Sequence, residues 1–128
     1  MKNLLLFASL LAASLTVNAA TFQGNTSATF ENPTGPSGMV TTGVGTDNFT
    51  WGEGAPLYYF WQHDPSSLTY YDTNFNANVD QTFIAGYLNF YNGKIVSGTQ
   101  AESVDLSLTL NFTSPASFSD TFDYGFSL

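Results

Sequence analysis

The sequence contains no cysteine and no arginine, and its basic side chains are Lys2, Lys94 and the single His63. The absence of cysteine excludes disulfides and thiol chemistry, so a folded domain must be stabilised by packing or by a bound ion. The shortage of Lys and Arg argues against nucleic acid as a partner, because a phosphate backbone has to be neutralised by a basic patch. Adhesion to anionic lipid head groups is disfavoured for the same reason.

Charged residues of either sign make up 9% of the chain, against about 25% in typical domains. Thr, Ser, Asn and Gly take their place, and aromatic residues reach 16%, a composition that favours strands and turns. The formal charge is −8, and a net charge of this size favours solubility. A cationic ligand such as calcium is the alternative interpretation of this charge.

The first nineteen residues have the order of a secretory signal peptide: basic Lys2, an apolar run over Leu4–Ala13, and a small-residue end at Val17–Ala19. The run is shorter than the roughly 20 residues that span a bilayer, and no basic stop-transfer cluster follows it. We expect cleavage after Ala19 and no stable membrane insertion afterwards. The protein is then expected to be secreted or extracellular, at the cell surface or in the periplasm. The cleaved chain has ten acidic residues and one lysine, Lys94, which gives it a formal charge of −9.

Residues 20–128 have the length of one domain, and their apolar residues alternate with a period of two. The clearest alternation runs over Val104–Phe112 and places one apolar set on a single face: Val104, Leu106, Leu108, Leu110 and Phe112. Such a strand borders a core, because a slip of one residue would expose the whole set. We predict an all-β fold, an antiparallel β-sandwich or jelly-roll-like domain.

Further strands are predicted over Thr82–Tyr91 and at the C-terminal end, where Phe122, Tyr124, Phe126 and Leu128 share a side. Asn92 and Gly93 follow the first of these strands, and this pair favours a type I′ hairpin leading into Lys94–Val96. Shorter candidates are Ser27–Phe30, Met39–Thr42, Asn48–Trp51, Leu57–Trp61 and Leu68–Tyr71.

Six segments together resemble the choice-of-anchor K family of exported bacterial surface proteins: Thr29–Pro33, Gly43–Thr46, Phe49–Gly52, Ser67–Tyr70, Phe83–Gly93 and Val104–Phe112. The resemblance implies a secreted β-rich domain, usually tethered through a C-terminal sorting signal. The family has no established activity, so the resemblance supplies no catalytic residues. Such a tether and further strands would follow Leu128 in this family, and the chain is therefore expected to be shortened. A shortened sheet would have an open apolar edge that invites self-association.

An aromatic group without a counterpart in the family pattern lies at Leu57–Trp61. Together with Trp51 it suggests a ligand platform, since exposed Tyr and Trp rings combine an apolar face with a polar rim. The candidate ligand-binding residues are Trp51, Tyr58, Tyr59 and Trp61. The alternative interpretation is a strand buried between two sheets, with Trp51 in the core.

Oxygen-bearing side chains recur through Asp72–Asp80, and hard cations prefer such ligands. The candidate calcium ligands are Asp72, Asn74, Asn76 and Asp80. An EF-hand is excluded, because Ala77 and Phe83 stand where its turn glycine and its bidentate glutamate belong. The alternative is a half-buried strand or loop with Phe75 and Val79 facing inward.

The sequence gives little support for a catalytic site. His63 has no accompanying nucleophile elbow or zinc-ligand pair, and a glycosidase pair among Glu31, Glu53 and Glu102 depends on distances that a sequence does not contain. We therefore expect a secreted, non-enzymatic module for cell-surface or extracellular-matrix interaction, with a protein or glycan partner. A carbohydrate-binding module that uses exposed aromatic residues is the alternative, and a glycoside hydrolase is the second alternative.

The signal peptide gives a direct test. Expressed with its leader in a secreting host, the protein is expected outside the cytoplasm with the N-terminal sequence Ala-Thr-Phe-Gln, as read by Edman degradation or mass spectrometry. Leu6→Arg should block export, because it places a charge in the apolar run. Exported material that still begins at Met1 would contradict the cleavage site.

Overall fold

A computed structural model describes residues 20–58 and 61–128, so the predicted signal peptide lies outside the described residues. The described chain is all-β, as predicted, and includes no helix long and apolar enough to cross a bilayer. Its strands are β1 (Thr21–Thr34), β2 (Thr41–Thr42), β3 (Asn48–Trp51), β4 (Ser66–Tyr71), β5 (Asn74–Asn78), β6 (Tyr87–Tyr91), β7 (Ser103–Ser114) and β8 (Phe118–Ser127).

The strands form two antiparallel sheets of four, which agrees with the predicted β-sandwich. We call the first the long sheet, with the strand order β5-β1-β7-β8, and the second the short sheet, with the order β2-β3-β4-β6. The long sheet is held by ten-residue registers between β1 and β7 and between β7 and β8. Strands of the short sheet are six residues or fewer.

The core lies between the two sheets and is rich in aromatic residues. Phe30 of β1 and Phe49 of β3 are both fully buried, with ring centroids 6.0 Å apart. Phe49 in turn stacks on Trp51 at 5.6 Å. Val104 and Leu106 of β7 complete the core with exposed fractions of 0% and 6%, which confirms the predicted buried face at this end of the strand.

The long sheet extends beyond the short one. At about 3.3 Å per residue, β7 is roughly 40 Å long and β4 roughly 20 Å. The inner face of the long sheet is therefore covered around Val104 and Leu106 but progressively uncovered towards the other end of β7. There Leu110 and Phe112 are half-buried.

The predicted C-terminal alternation is confirmed in β8, whose Phe122, Tyr124 and Phe126 lie opposite alternate residues of β7 and so share the inner face. Phe122 is 40% and Tyr124 49% exposed, on a strand at the edge of the long sheet. Asp120, opposite Leu110, interrupts this apolar series on the same face. The edge is thus open and apolar, whereas self-association through it stays a prediction.

The predicted hairpin at Asn92 and Gly93 is wrong. Neither residue has the positive φ that a type I′ turn requires, and β6 pairs with β4 rather than with Lys94–Val96. The chain after Gly93 is instead drawn to the segment following β3: the N–H of Ala55 donates to the Lys94 carbonyl, and that of Val96 donates to the Glu53 carbonyl, both at 2.8 Å. These distant partners replace the local pairing.

The predicted strand over Leu57–Trp61 is wrong for its described residues. They form the end of a loop closed by a bridge between Pro56 and Gln62. Tyr58 has a φ of 84°, a left-handed conformation that interrupts a strand. The predicted strand at Thr82 also begins later than expected, at Tyr87.

A buried polar contact ties β4 to β1 and to the chain before β6. The Tyr70 side chain is 6% exposed, and its hydroxyl is hydrogen-bonded to the buried Thr26 hydroxyl at 2.9 Å. The same hydroxyl donates to the Ala85 carbonyl. A side chain at Gly86 would collide with the Tyr70 ring, so glycine permits this approach.

Burial raises the pKa of the Tyr70 hydroxyl above its ordinary value of 10.0. The hydrogen bond with Thr26 acts in the opposite direction, and the negative charge of Asp72 adds to the increase. The folded protein consequently holds this proton more firmly than the unfolded chain. The contribution to stability is complete below the unfolded pKa and is lost as the pH rises through the folded pKa.

Tyr70→Phe is expected to lower the free energy of unfolding at neutral pH by about 1 to 3 kcal/mol, because Thr26 and Ala85 lose a buried partner. Above pH 10 the difference from the parent protein should narrow, since the parent loses this contribution by ionisation. Urea denaturation across pH 7 to about 11 measures both effects. Tyr71→Phe, at a residue that is 53% exposed, is the control. A constant difference over the whole pH range would contradict the assignment.

Candidate functional site

The described residues of the predicted aromatic group, with their neighbours, form a loop over 55–58 and 61–63 that we call the aromatic loop. At the base of the loop, the His63 N–H donates a hydrogen bond to the Ala55 carbonyl at 2.9 Å. Nearer the tip, the Leu57 N–H donates a hydrogen bond to the Trp61 carbonyl at 2.7 Å. Tyr58 is 84% and Trp61 70% exposed. The loop therefore presents large rings to solvent, which soluble proteins rarely do without a binding role. Tyr59 lies outside the described residues.

Trp51 is separate from this loop surface. Its ring is 5% exposed and packs between Phe49 and Phe90, whose ring centroid is 6.0 Å away. The ring is part of the core, in agreement with the alternative interpretation of the sequence. It cannot lie on an exposed platform in this conformation.

The candidate calcium ligands lie along β5 and its two ends. Asn74 and Asn76 are exposed on the strand, where they oppose Asn25 and Gln23 of β1. Asp72 precedes the strand, and Asp80 lies in the turn after it with a φ of 66°. Because a strand rises about 3.3 Å per residue, it separates these side chains rather than gathering them.

Two other observations concern the same segment. Phe75 is buried as predicted, whereas Val79 is 47% exposed. In the described part of the chain, no three His, Asp or Glu side chains form a group that could hold a metal ion. Calcium binding stays a prediction.

Calcium binding can be tested by thermal unfolding with added calcium and with a chelator. A site formed by Asp72 and Asp80 predicts a higher midpoint with calcium, because an ion that binds only the folded state stabilises it. The double variant Asp72→Asn and Asp80→Asn should then abolish the shift, and Asp123→Asn should leave it intact. Equal midpoints with and without the ion would remove calcium from this segment.

A more ordered surface lies on the outer face of the short sheet. In β4 the buried residues Leu68 and Tyr70 alternate with Ser67, Thr69 and Tyr71, which face outward. The register with β6 pairs these outward positions with tyrosine or asparagine: Ser67 with Tyr91, Thr69 with Asn89, and Tyr71 with Tyr87. We call this surface the tyrosine face; Tyr71, Tyr87 and Tyr91 are 53%, 58% and 47% exposed.

A concave region adjoins Tyr91 at one end of the tyrosine face. It encloses a volume of about 330 Å³, near the lower end of the range typical of ligand sites. Most of the residues that line it carry polar groups: Asn48, Thr50, Asp64, Pro65, Ser67, Thr69 and Tyr91. These residues combine an aromatic ring with amide, hydroxyl and carboxylate groups.

Local contacts position the polar groups of this concavity. The hydroxyls of Thr50 and Thr42 are 2.6 Å apart, and the Thr69 hydroxyl donates to the Asn48 side-chain oxygen at 3.4 Å. Asp64 follows the aromatic loop directly, three residues after Trp61. The concavity and the aromatic loop therefore adjoin along the chain.

The tyrosine face was not predicted from the sequence. The sequence of Tyr87–Tyr91 does show an alternation, in which Leu88 and Phe90 alternate with outward-facing residues. Alternation alone does not say which of the two sets, both of which include aromatic residues, faces the core, so the partner strand had to be known. The register with β4 decides it, since Leu68 and Tyr70 are buried opposite Phe90 and Leu88.

The three glutamates considered for glycosidase chemistry lie in different elements. Glu31 is on β1 directly opposite Asp105 of β7. Glu53 follows β3, with its N–H donating to the Thr99 hydroxyl at 2.9 Å. Glu102 is exposed immediately before β7. The hydrolase alternative stays untested by this placement.

Comparison with protein-family models, with curated proteins and with solved structures gave no match. The resemblance to choice-of-anchor K proteins therefore stays a prediction, and the site has to be interpreted from its own geometry.

Proposed function

We propose that this protein is a secreted, non-enzymatic interaction module of the cell surface or extracellular matrix, and that its ligand is a glycan bound on the tyrosine face. The observation that carries the proposal is the alignment of three exposed tyrosines, Tyr71, Tyr87 and Tyr91, on the outer face of two paired strands. Exposed aromatic groups of this kind are uncommon on soluble proteins unless they bind something.

The chemistry of the face suits a sugar ring. A pyranose has an apolar face of C–H groups and a rim of hydroxyls, and tyrosine has a matching apolar ring and a polar hydroxyl. Tyr87 and Tyr91 lie four residues apart on one strand, about 13 Å, so the face suits a chain of sugars better than a single ring. Asn48, Thr50 and Asp64 supply donors and acceptors for ring hydroxyls.

The negative charge of the protein restricts the class of glycan that it can bind. The chain from residue 20 onward carries ten acidic residues and one lysine, and Asp64 lines the concavity itself. Sulfated or uronic-acid polysaccharides would be repelled. The expected ligand is therefore a neutral polysaccharide or the neutral glycan of a glycoprotein.

The aromatic loop provides a second contact for a long ligand. Tyr58 and Trp61 are exposed at its end, and the chain leads from Trp61 into Asp64 of the concavity. Extracellular placement of this module is supported by the predicted leader and by the resemblance to exported surface proteins, which are themselves part of the proposal.

The proposal is tested by screening the protein from Ala20 onward on an array of neutral and acidic glycans, followed by titration calorimetry with the strongest binder. Tyr91→Ala and Tyr87→Ala should each weaken binding by about five- to tenfold, as expected for the loss of one stacking ring. Tyr124→Ala is the matched control, because Tyr124 is 49% exposed on the other sheet. Circular dichroism should show that all three variants fold.

Several results would contradict the proposal. Absence of binding to every glycan would remove carbohydrate as the ligand, and an equal loss in Tyr124→Ala would remove the tyrosine face. Release of new reducing ends from the bound glycan would favour the glycoside hydrolase alternative. Binding to acidic glycans in preference to neutral ones would contradict the charge argument.

A further inference from the structure

A second aromatic cluster lies on the inner face of the long sheet, at the end that the short sheet does not cover. Phe112 of β7 is its centre: it stacks on Phe118 of β8 at 4.3 Å with the rings 8° from parallel. Phe22 of β1 meets it edge-on at 6.3 Å, and Phe75 of β5 does so at 5.2 Å. Phe83, in the chain after β5, stacks on Phe75 at 4.4 Å.

Phe75 anchors the cluster to the long sheet. Phe75 is 5% exposed, and its ring lies over Gly24, where a side chain would collide with that ring and with the Asn111 carbonyl. Glycine at position 24 is therefore a condition for the contact between Phe75 and Phe112. Because Phe75 is fixed, the rings of Phe112 and Phe83 that pack on it are held in place before any ligand arrives.

An open pocket of about 300 Å³ is formed above these rings. It is lined by Phe22, Phe83, Phe112 and Phe118, with Ala77, which is 5% exposed, among them. Its rim is the turn Asn78–Gln81, which contributes Val79 and three polar side chains. Phe83 and Phe118 remain 37% and 51% exposed, so the pocket is accessible to solvent. It is distinct from the tyrosine face, which lies on the other sheet.

The charges around this pocket have one sign. Asp80 lines its rim, and Asp120 lies on the same inner face of β8, two residues from Phe118. The other two polar side chains of the rim are engaged: the Asn78 side-chain oxygen accepts a hydrogen bond from the Thr21 hydroxyl, and that of Gln81 accepts one from the Asn78 N–H, both at 3.1 Å. The lining contains no basic residue.

We propose that this pocket binds an organic cation of the quaternary ammonium class. The negative faces of aromatic rings attract a cation, and quaternary ammonium groups are recognised by cages of such rings. Asp80 adds charge complementarity at the rim, and Asp120 adds negative charge to the same face of the sheet, within a protein that is strongly acidic throughout. An inorganic cation would lose its hydration against phenylalanine without gaining oxygen ligands, and an anion would be repelled.

The test compares two ligands of the same shape. Choline and its uncharged carbon isostere 3,3-dimethylbutan-1-ol are titrated into the isotopically labelled protein from Ala20 onward, followed by NMR. Choline is expected to bind about threefold to tenfold more tightly than the isostere. The chemical-shift changes should be centred on Ala77–Gln81, Phe112 and Phe118. Added salt should weaken choline binding and leave the isostere unaffected.

Variants locate the effect. Phe118→Leu removes an aromatic wall and keeps an apolar one, so choline affinity should fall while the isostere binds as before. Asp80→Asn should also weaken choline alone. Phe122→Leu, on the same face of β8 but not among the residues that line the pocket, should change neither affinity.

Three results would overturn the proposal: equal or tighter binding of the isostere, shifts centred elsewhere in the protein, or no binding of either ligand. The outcome is independent of the glycan proposal. Choline binding should survive Tyr91→Ala, and glycan binding should survive Phe118→Leu, so each site can fail without the other.

Discussion

The contact between Phe30 and Phe49 joins the two sheets, and the rest of the structure depends on it. Both side chains are fully buried, and full burial of a phenylalanine contributes about 1.5 to 3 kcal/mol each. In a chain without cysteine, such packing has to supply what disulfides supply in many exported domains. Trp51 continues the stack from Phe49 to Phe90, so the aromatic contact extends across the short sheet. The mutual position of the sheets, and with it the outer faces that remain free, follows from this packing.

The difference in length between the sheets produces the second feature. The core occupies one end of the long sheet, and beyond it β1, β7 and β8 continue with the same alternation but without a partner sheet. Apolar side chains there have only each other to pack against. A separate aromatic cluster forms there, in which Phe112 stacks on Phe118 and meets Phe75 edge-on. This arrangement leaves a lined cavity, because rings that meet edge-on and face-on do not close over the space above them.

Much of the fold could be predicted from local alternation, and the failures have physical reasons. Asn48–Trp51 and the face of Val104–Phe112 were predictable from alternation, which matches burial in β3 and at the Val104 end of β7. The Asn92-Gly93 turn failed because the segment after β3 offers distant backbone partners to Lys94 and Val96, which no local pattern contains. The tyrosine face could not be assigned for a related reason. Both sets of residues in β6 include aromatic side chains, and only its register with β4 distinguishes them.

The two candidate sites expose different kinds of aromatic residue, and their chemistry explains the difference. Tyr71, Tyr87 and Tyr91 stand on an outer face, where a hydroxyl can stay in water while the ring offers apolar area. Phe22, Phe112 and Phe118 stand on an inner face that lacks cover, where a hydroxyl would have no partner within the cluster. A surface of tyrosines among Thr, Ser and Asn suits ligands rich in hydroxyls, whereas a phenylalanine cage with a carboxylate at its rim suits a weakly hydrated cation. The shortage of positive charge affects both surfaces. Lys94 is the only lysine or arginine from residue 20 onward, so neither surface is suited to an anion, and the aromatic faces determine what is bound.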